Sequence, residues 1–151
     1  MFSSQDKLFM ERAIELAKES FDDGEVPVGA VIVQNETIIG EGKNKVIFEN
    51  DVTSHAEINA IRAASKKIKN YRLNDCSMYV TLEPCHMCAK AAVDARMSSV
   101  IFAASEPKTG SIISIDNFFD KKELNHNPKY QFGLLKEESS KLLKDFFRLR
   151  R

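Results

Sequence analysis

Two cysteines and one histidine have the residue types and spacing of metal ligands. Cys85 and Cys88 are three positions apart at the start of a segment that Pro84 opens, and side chains at i and i+3 share one face of a helix. The partial positive charge of a helix N-terminus favours the thiolate form that a metal needs. A lone C-x-x-C is also compatible with redox chemistry. A further ligand must come from elsewhere, and His55, which begins another predicted helix, is our candidate.

One histidine and two cysteines leave one tetrahedral position of a zinc ion open, which is typical of catalytic zinc. We therefore predict one Zn²⁺ per chain. Such an ion brings the pKa of bound water to roughly 7. Glu57, two residues after His55, is our candidate for the group that moves protons between water and substrate. The alternative for Glu57 is a capping box with Ser54, because residues 54–57 have the pattern S-x-x-E.

The combination of motifs favours the catalytic interpretation of Glu57. H-x-E at 55–57 together with P-C-x-x-C at 84–88 is the signature of zinc nucleobase deaminases. Three further residues of ligand type receive no such role. We predict that Cys76 is a small core residue beside a strand, that His86 is exposed, and that His126 serves a turn.

Composition predicts a single domain over residues 1–151. The chain has 43% hydrophobic and 29% charged residues, as ordinary globular proteins do. No continuous apolar segment opens it, and no run of about eighteen apolar residues follows, so we expect a cytoplasmic protein without membrane association. Three cysteines without a secretory signal argue against a disulfide framework.

The charge pattern allows local contact with nucleic acid. A formal net charge of +0 argues against binding over the whole surface. However, residues 62–72 contain five basic and no acidic side chains, and residues 136–151 contain 6 basic against 3 acidic ones. These two segments are either RNA contacts or solvated helix faces.

Hydrophobic periodicity predicts alternating helices and strands that can position the candidate ligands. In chain order we expect a helix up to Gly24, a hairpin of strands 28–33 and 37–42, a helix at 55–68, a strand at 78–82, a helix at 85–95, a strand at 100–104, a short helix near 116–119, a strand at 130–132 and an amphipathic helix at 135–150. This order predicts an α/β fold, a three-layer α/β/α sandwich with a mixed five-stranded sheet. In such a sandwich the starts of both ligand-bearing helices can meet at one sheet edge.

Several stretches carry a family resemblance that runs nearly from end to end. They are GEVPVGAVIV (24–33), GEGKN (40–44), SHAEINAI (54–61), NYRL (70–73), YVTLEPCHMCA (79–89), KTG (108–110), LNH (124–126) and DFFRLRR (145–151). In these stretches the chain resembles the bacterial tRNA-specific adenosine deaminases of the cytidine deaminase superfamily. The resemblance implies a cytidine deaminase-like fold, a homodimer, and hydrolytic conversion of adenosine to inosine at the wobble position of a tRNA anticodon.

The resemblance also implies roles for individual residues. Asn44 would hold the flipped base and its ribose, Val26 and Pro84 would wall the pocket, and the backbone of Ala56 would contact the purine edge. The anticodon stem-loop would be held by a loop and by the C-terminal residues, namely Glu106, Lys108, Phe146, Phe147, Arg148, Arg150 and Arg151. The chain departs from the family pattern at Glu106, where Asp is usual, and at Lys90, where Gly is usual.

The helical wheel of the last segment separates two neighbouring phenylalanines. Leu135, Leu142, Phe146 and Leu149 form one stripe that we expect to dock on the sheet, and Phe147 lies about 100° from Phe146. Off the core face, Phe147 could stack on a splayed base. Its alternative role is packing against a neighbouring loop or a second subunit.

Two other functions compete with a tRNA deaminase. A deaminase of free guanine, cytosine or cytidine would share the zinc motif without needing a basic C-terminal helix. A non-catalytic zinc module or partner subunit would lack the proton shuttle, and Glu57 is present.

Overall fold

A mixed five-stranded sheet forms the middle layer of the computed structural model, which describes residues 1–150. The strand order is β2-β1-β3-β4-β5. β1 is antiparallel to both β2 and β3, whereas β3, β4 and β5 are parallel. The strands are β1 (Gly29–Gln34), β2 (Thr37–Lys43), β3 (Cys76–Leu82), β4 (Ser99–Ala104) and β5 (Lys129–Phe132).

Helices cover both faces of this sheet, which confirms the predicted three-layer α/β/α class. They are α1 (Ser4–Asp22), α2 (Val46–Glu49), α3 (Ala56–Ile68), α4 (His86–Asp94) and α5 (Lys136–Leu149), with a 3₁₀ turn at Phe118–Asp120. The four-residue α2 was not predicted. Within residues 1–150, none of the helices has the length and apolar character needed to cross a membrane.

Alternation along the strands divides the core between the two faces. Val31, Tyr79 and Ile101 pack in a cluster with residues of α1. Their neighbours Ile32 and Met78 point the other way, into a cluster with residues of α3 and α4. Successive side chains of a strand point to opposite faces, so the apolar runs that predicted these strands are explained by burial on both sides.

Close packing against β2 fixes the position of α3. A β-carbon added to Gly42 would lie 2.2 Å from the carbonyl oxygen of Ala56, and one added to Gly40 would lie 2.5 Å from that of Ala60. Only glycine permits so close an approach between strand and helix. The start of α3, with His55 directly before it, is thereby held against the sheet.

The last helix docks differently from the prediction at one position. Phe146 is buried, as expected, with its ring 5.8 Å from that of Phe21. Leu149, predicted to share that buried stripe, is 72% exposed, so this part of the prediction is wrong. The reason is that α5 starts over β3, where Ser139 donates to the carbonyl of Thr81, and ends beside the last turn of α1 rather than over the sheet.

Candidate metal centre and substrate pocket

The three predicted ligands come together from two helix starts. His55 is the residue before α3, Cys85 is the residue before α4, and Cys88 lies in the first turn of α4. Their ligand atoms all lie within 4.8 Å of one another. The Nδ1 atom of His55 is 3.7 Å from the Sγ atom of Cys85 and 3.5 Å from that of Cys88. These residues therefore form a group that could bind a metal ion.

The spacing of these atoms fits zinc. A tetrahedral zinc ion, with its usual bond lengths to nitrogen and sulfur, holds those two atoms about 3.6 Å apart. The two nitrogen-to-sulfur distances, 3.7 and 3.5 Å, bracket that value. One imidazole and two sulfurs also match the ligand preference of zinc.

The protonation of the two thiols is coupled through their contact. A hydrogen bond from Cys88, which outweighs burial, lowers the pKa of Cys85 to about 3, and His55 contributes in the same direction. The same hydrogen bond, together with burial, raises the pKa of Cys88. A negative Cys85 sulfur thus needs a proton or a cation beside it, and a metal ion can take the place of that proton.

Glu57 lies in the first turn of α3 and is 4% exposed. Burial is the main cause that raises its pKa to about 7. A carboxyl group that titrates near neutrality can both accept and release a proton during a reaction cycle. Its burial and raised pKa therefore make Glu57 a candidate general acid and base.

The alternative role of Glu57 in a capping box is wrong. The N-cap of α3 is His55, and no side chain caps this helix end. The hydroxyl of Ser54, the expected cap, instead donates to the Glu49 carboxylate and accepts from the amide of Asn59 at 3.1 Å. The helix begins too late in the chain for Ser54 to reach its first turn as an N-cap.

A cavity of about 500 Å³ opens over the candidate ligands. Val26 and Asn44, predicted to contact the base, line it together with His55, Glu57 and Cys85. The rest of the lining is Gly24, Glu25, Val28, Val46, Ile47, Leu82, Glu83, Glu106, Thr109, Phe146 and Arg150. The cavity therefore brings two candidate ligands and Glu57 to one surface with Val26 and Asn44.

Two residues predicted at the pocket lie behind its surface. Ala56 is fully buried at the start of α3, against Gly42. Pro84 is buried as well, and its carbonyl accepts the N–H of Ser111 at 2.9 Å. Glu83 and Cys85, on either side of Pro84, line the cavity.

The predicted RNA-contacting residues differ in exposure, and Glu106, Phe146 and Arg150 among them line the cavity. Lys108 is exposed, and its backbone N–H donates to the Glu106 carboxylate at 2.9 Å. Phe147 is 49% exposed, whereas Phe146 forms part of the pocket wall. Arg148 is exposed and pairs with Asp145.

Arg150 makes contacts within the protein at the pocket rim. Its guanidinium donates to the carbonyl of Gly24 at 2.6 Å and lies 4.7 Å from the centre of the Phe146 ring. A phosphate contact by Arg150 would therefore compete with these interactions. Arg151, the last predicted contact, lies outside the described residues.

Two buried carboxylates beside the pocket were missed by sequence reasoning. Glu25 accepts the backbone N–H groups of Ile47 and Phe48 at the start of α2. Glu83 accepts hydrogen bonds from the 106–114 loop, and these lower its pKa although burial opposes them. For Glu83 the available signal was an acidic residue directly after a buried strand, where an unpaired charge is costly.

The remaining residues of ligand type lie apart from this group. Cys76 is fully buried at the start of β3, as predicted. His86 is largely exposed and contacts Asp116 at 2.9 Å. The ring of His126 contacts the carbonyl of Met97, 29 residues earlier in the chain, at 2.6 Å.

Comparisons with known proteins agree with this geometry. The family model described as MafB19-like deaminase matches residues 3–151. A tRNA-specific adenosine deaminase from Haemophilus influenzae is 47% identical over 150 residues, covering 99% of this chain and 87% of the relative. One from Aquifex aeolicus is 44% identical, covering 93% and 92%. A solved structure from work on A-to-I editing by deaminases at the wobble position of transfer RNA has a TM-score of 0.88 at 40% identity, covering 90% and 99% of the two chains.

Proposed function

The chain belongs to the MafB19-like deaminases and, among them, to the tRNA-specific adenosine deaminases, and from this we propose that it converts adenosine to inosine at the wobble position of a tRNA anticodon. The observation that carries the proposal is the convergence of His55, Cys85 and Glu57 at one cavity of about 500 Å³. With Cys88 they supply the ligand group and the proton shuttle of a hydrolytic deaminase.

We propose that His55, Cys85 and Cys88 hold one zinc ion per chain. When bound, zinc supplies a water activated near neutral pH. Glu57 takes a proton from the attacking water and delivers protons to the ring nitrogen and the departing amino group. Adenosine and water thereby become inosine and ammonia. The burial of Glu57, 4% exposed, keeps bulk water from competing for these protons.

The pocket walls suit a flat, extruded base. Apolar side chains of Val26, Val28 and Leu82 line the cavity and can pack on the faces of a purine. Asn44, on the same surface, offers both a donor and an acceptor for base or ribose. Ala56, whose backbone is expected to contact the purine edge, is buried behind this apolar wall at the start of α3. A base inside a duplex cannot enter such a site, so a single-stranded loop is the suitable substrate.

We propose that the anticodon stem-loop lies across the pocket mouth. Lys108 and Arg148 have exposed side chains that can contact phosphates, and Phe147 presents an exposed ring for stacking. Glu106 and Phe146 act from the pocket wall, and Arg150 acts from its rim. Such contacts are typical of proteins that recognise a single-stranded RNA loop by its splayed bases and phosphates, and not by the groove of a helix.

We also propose that two copies of the chain assemble. Ile47, Phe48 and Val52 expose apolar side chains on one segment next to the pocket, and such a patch favours a protein interface. Sedimentation should give the mass of a dimer, and Phe48→Ser should shift it toward the monomer. Since tRNA is its substrate, the enzyme would act in the cytoplasm.

The experiment offers purified, zinc-loaded protein an anticodon stem-loop with adenosine at the wobble position. Free adenosine, guanine, cytosine and cytidine are tested in parallel, with a stem-loop whose adenosine is moved one position as a control. We expect inosine in the first stem-loop only. Turnover of a free base or nucleoside without reaction on RNA would overturn the proposed substrate and favour a free-base deaminase.

A further inference from the structure

One buried carboxylate organises an entire wall of the pocket. Glu83 is 2% exposed and follows β3 directly. Its carboxylate accepts four backbone N–H groups, those of Glu106 at 3.0 Å, Ile112 at 3.0 Å, Ile113 at 2.7 Å and Ser114 at 3.0 Å, and also the Ser114 hydroxyl. All five hydrogen bonds come from the loop of residues 106–114.

The carboxylate has no capacity left for substrate. An ionised carboxylate offers about four lone-pair sites, and Glu83 already accepts five hydrogen bonds from the loop. Although Glu83 borders the cavity, its oxygens are directed to the loop. It therefore acts on the site through the loop and not by proton transfer.

The fit between loop and carboxylate is tight at Gly110. A β-carbon at Gly110 would lie 2.3 Å from the Glu83 carboxyl carbon, which no side chain can tolerate without displacing one of the two. The N–H of Gly110 also closes a turn onto the carbonyl of Glu106 at 2.8 Å. The loop is thus folded around the carboxylate.

The same carboxylate connects two functional parts of the site. Two residues after Glu83 the chain reaches Cys85, a candidate metal ligand. On the other side, Glu106 and Thr109 of the held loop line the cavity. The position of the substrate-facing wall relative to the metal ligands therefore depends on this side chain, together with the Pro84 carbonyl that accepts the N–H of Ser111.

We propose that Glu83 is a positioning residue for substrate recognition, which holds the 106–114 loop as a preformed wall of the pocket. The inference rests on the proposed function. Preformed contacts lower the ordering cost of binding, so loss of this carboxylate affects substrate affinity more than the chemical step.

The test is Glu83→Gln, measured by kcat and KM on the wobble-adenosine stem-loop. Glutamine keeps the shape but has a single acceptor oxygen, and its NH₂ group faces backbone donors. We expect KM to rise ~10-fold or more with a smaller fall in kcat. Zinc content should stay at one per chain. Amides of the 106–114 loop should exchange with solvent faster, whereas those of β3 and β4 should not.

The matched control is Asp6→Asn, which weakens another carboxylate network away from the pocket. Asp6 accepts from Tyr79 on β3 and from the backbone of Ser3. Asp6→Asn should lower the Tm while leaving KM unchanged. Glu83 would be merely structural if KM stays normal in Glu83→Gln. The same conclusion would follow if Asp6→Asn, at a similar loss of Tm, raises KM as much as Glu83→Gln does.

Gly110→Ala tests the same contact from the loop side and decides the matter if Glu83→Gln does not fold. It should raise KM like the glutamine variant, and a normal KM overturns the inference. The wild-type assay separates this result from the proposed function. A wild type that forms no inosine refutes the proposed function, and the recognition role with it, whereas an active wild type beside unaffected variants refutes the inference alone.

Discussion

The Nδ1 atom of His55 lies 3.5 Å from the Sγ atom of Cys88, thirty-three residues further along the chain. The two residues meet because α3 and α4 pack on the same face of the sheet and start at the same edge. The metal group therefore depends on the docking of α3 as much as on the identity of the ligands.

Substitution of a ligand should remove the metal selectively. Cys85→Ser should lower zinc from about one per chain to a small fraction, because serine is a poor zinc ligand. Cys76→Ser places a hydroxyl at a fully buried position and should cost stability but not zinc. Metal analysis of the purified variants checks this. Full zinc in Cys85→Ser, or zinc loss in a folded Cys76→Ser, would contradict the ligand assignment.

The glycines of β2 should separate stability from metal binding. Both Gly42→Ala and Gly40→Ala force α3 away from the strand and should destabilise the fold by about 1–3 kcal/mol or more. Gly42 faces Ala56, beside the ligand His55, whereas Gly40 faces Ala60, one turn further on. Zinc affinity, measured by competition with a chelating dye, should fall more in Gly42→Ala. Equal losses of zinc affinity would contradict the dependence on the start of α3.

The contact of α1 with the sheet should make stability depend on pH. Burial would raise the pKa of Asp6, but hydrogen bonds from Tyr79 and Ser3 outweigh it, and the net pKa lies below its usual value. A lowered pKa in the folded state means that ionised Asp6 adds stability above its unfolded pKa of about 3.9, and that this is lost as the pH falls through the folded value. The Tm difference between wild type and Asp6→Asn should be full above about pH 5 and shrink toward pH 3. A constant difference would contradict this.

The C-terminal helix should contribute to RNA binding through exposed groups. Phe147→Ala with Arg148→Gln should weaken binding of the anticodon stem-loop and reduce the slope of affinity against salt by roughly 1, since one phosphate contact is lost. The exposed Lys18 of α1 is not part of the pocket lining, and Lys18→Gln serves as the control with unchanged slope. If the RNA affinity and the salt slope of the double variant equal those of the control, the exposed groups of α5 do not contact the RNA.

The sequence predicts the features that depend on local pattern. Runs such as 28–33 and 100–104 indicated the buried strands because their apolar residues fill both faces of the sheet. The ligands and Glu57 were predicted from H-x-E and P-C-x-x-C, which have a fixed local spacing.

The missed features depend on partners far along the chain. Glu83 pairs with groups 23 to 31 residues away, which no local spacing reveals. The pattern S-x-x-E offered a cap at Ser54 only as an alternative, and its actual hydrogen bond to Glu49 depends on the short α2. Leu149 was assigned to the core because periodicity does not indicate where the sheet ends beneath a helix.

The most direct measurement compares wild type with Glu57→Gln, both loaded with zinc, on the wobble-adenosine stem-loop in water enriched in the heavy oxygen isotope. Mass spectrometry of the digested RNA follows the product. We expect wild type to form inosine carrying the heavy oxygen, and Glu57→Gln to bind zinc and RNA but to react at least ~10²-fold more slowly. Unlabelled product, no inosine from the zinc-loaded wild type, or near-normal activity of Glu57→Gln would contradict it.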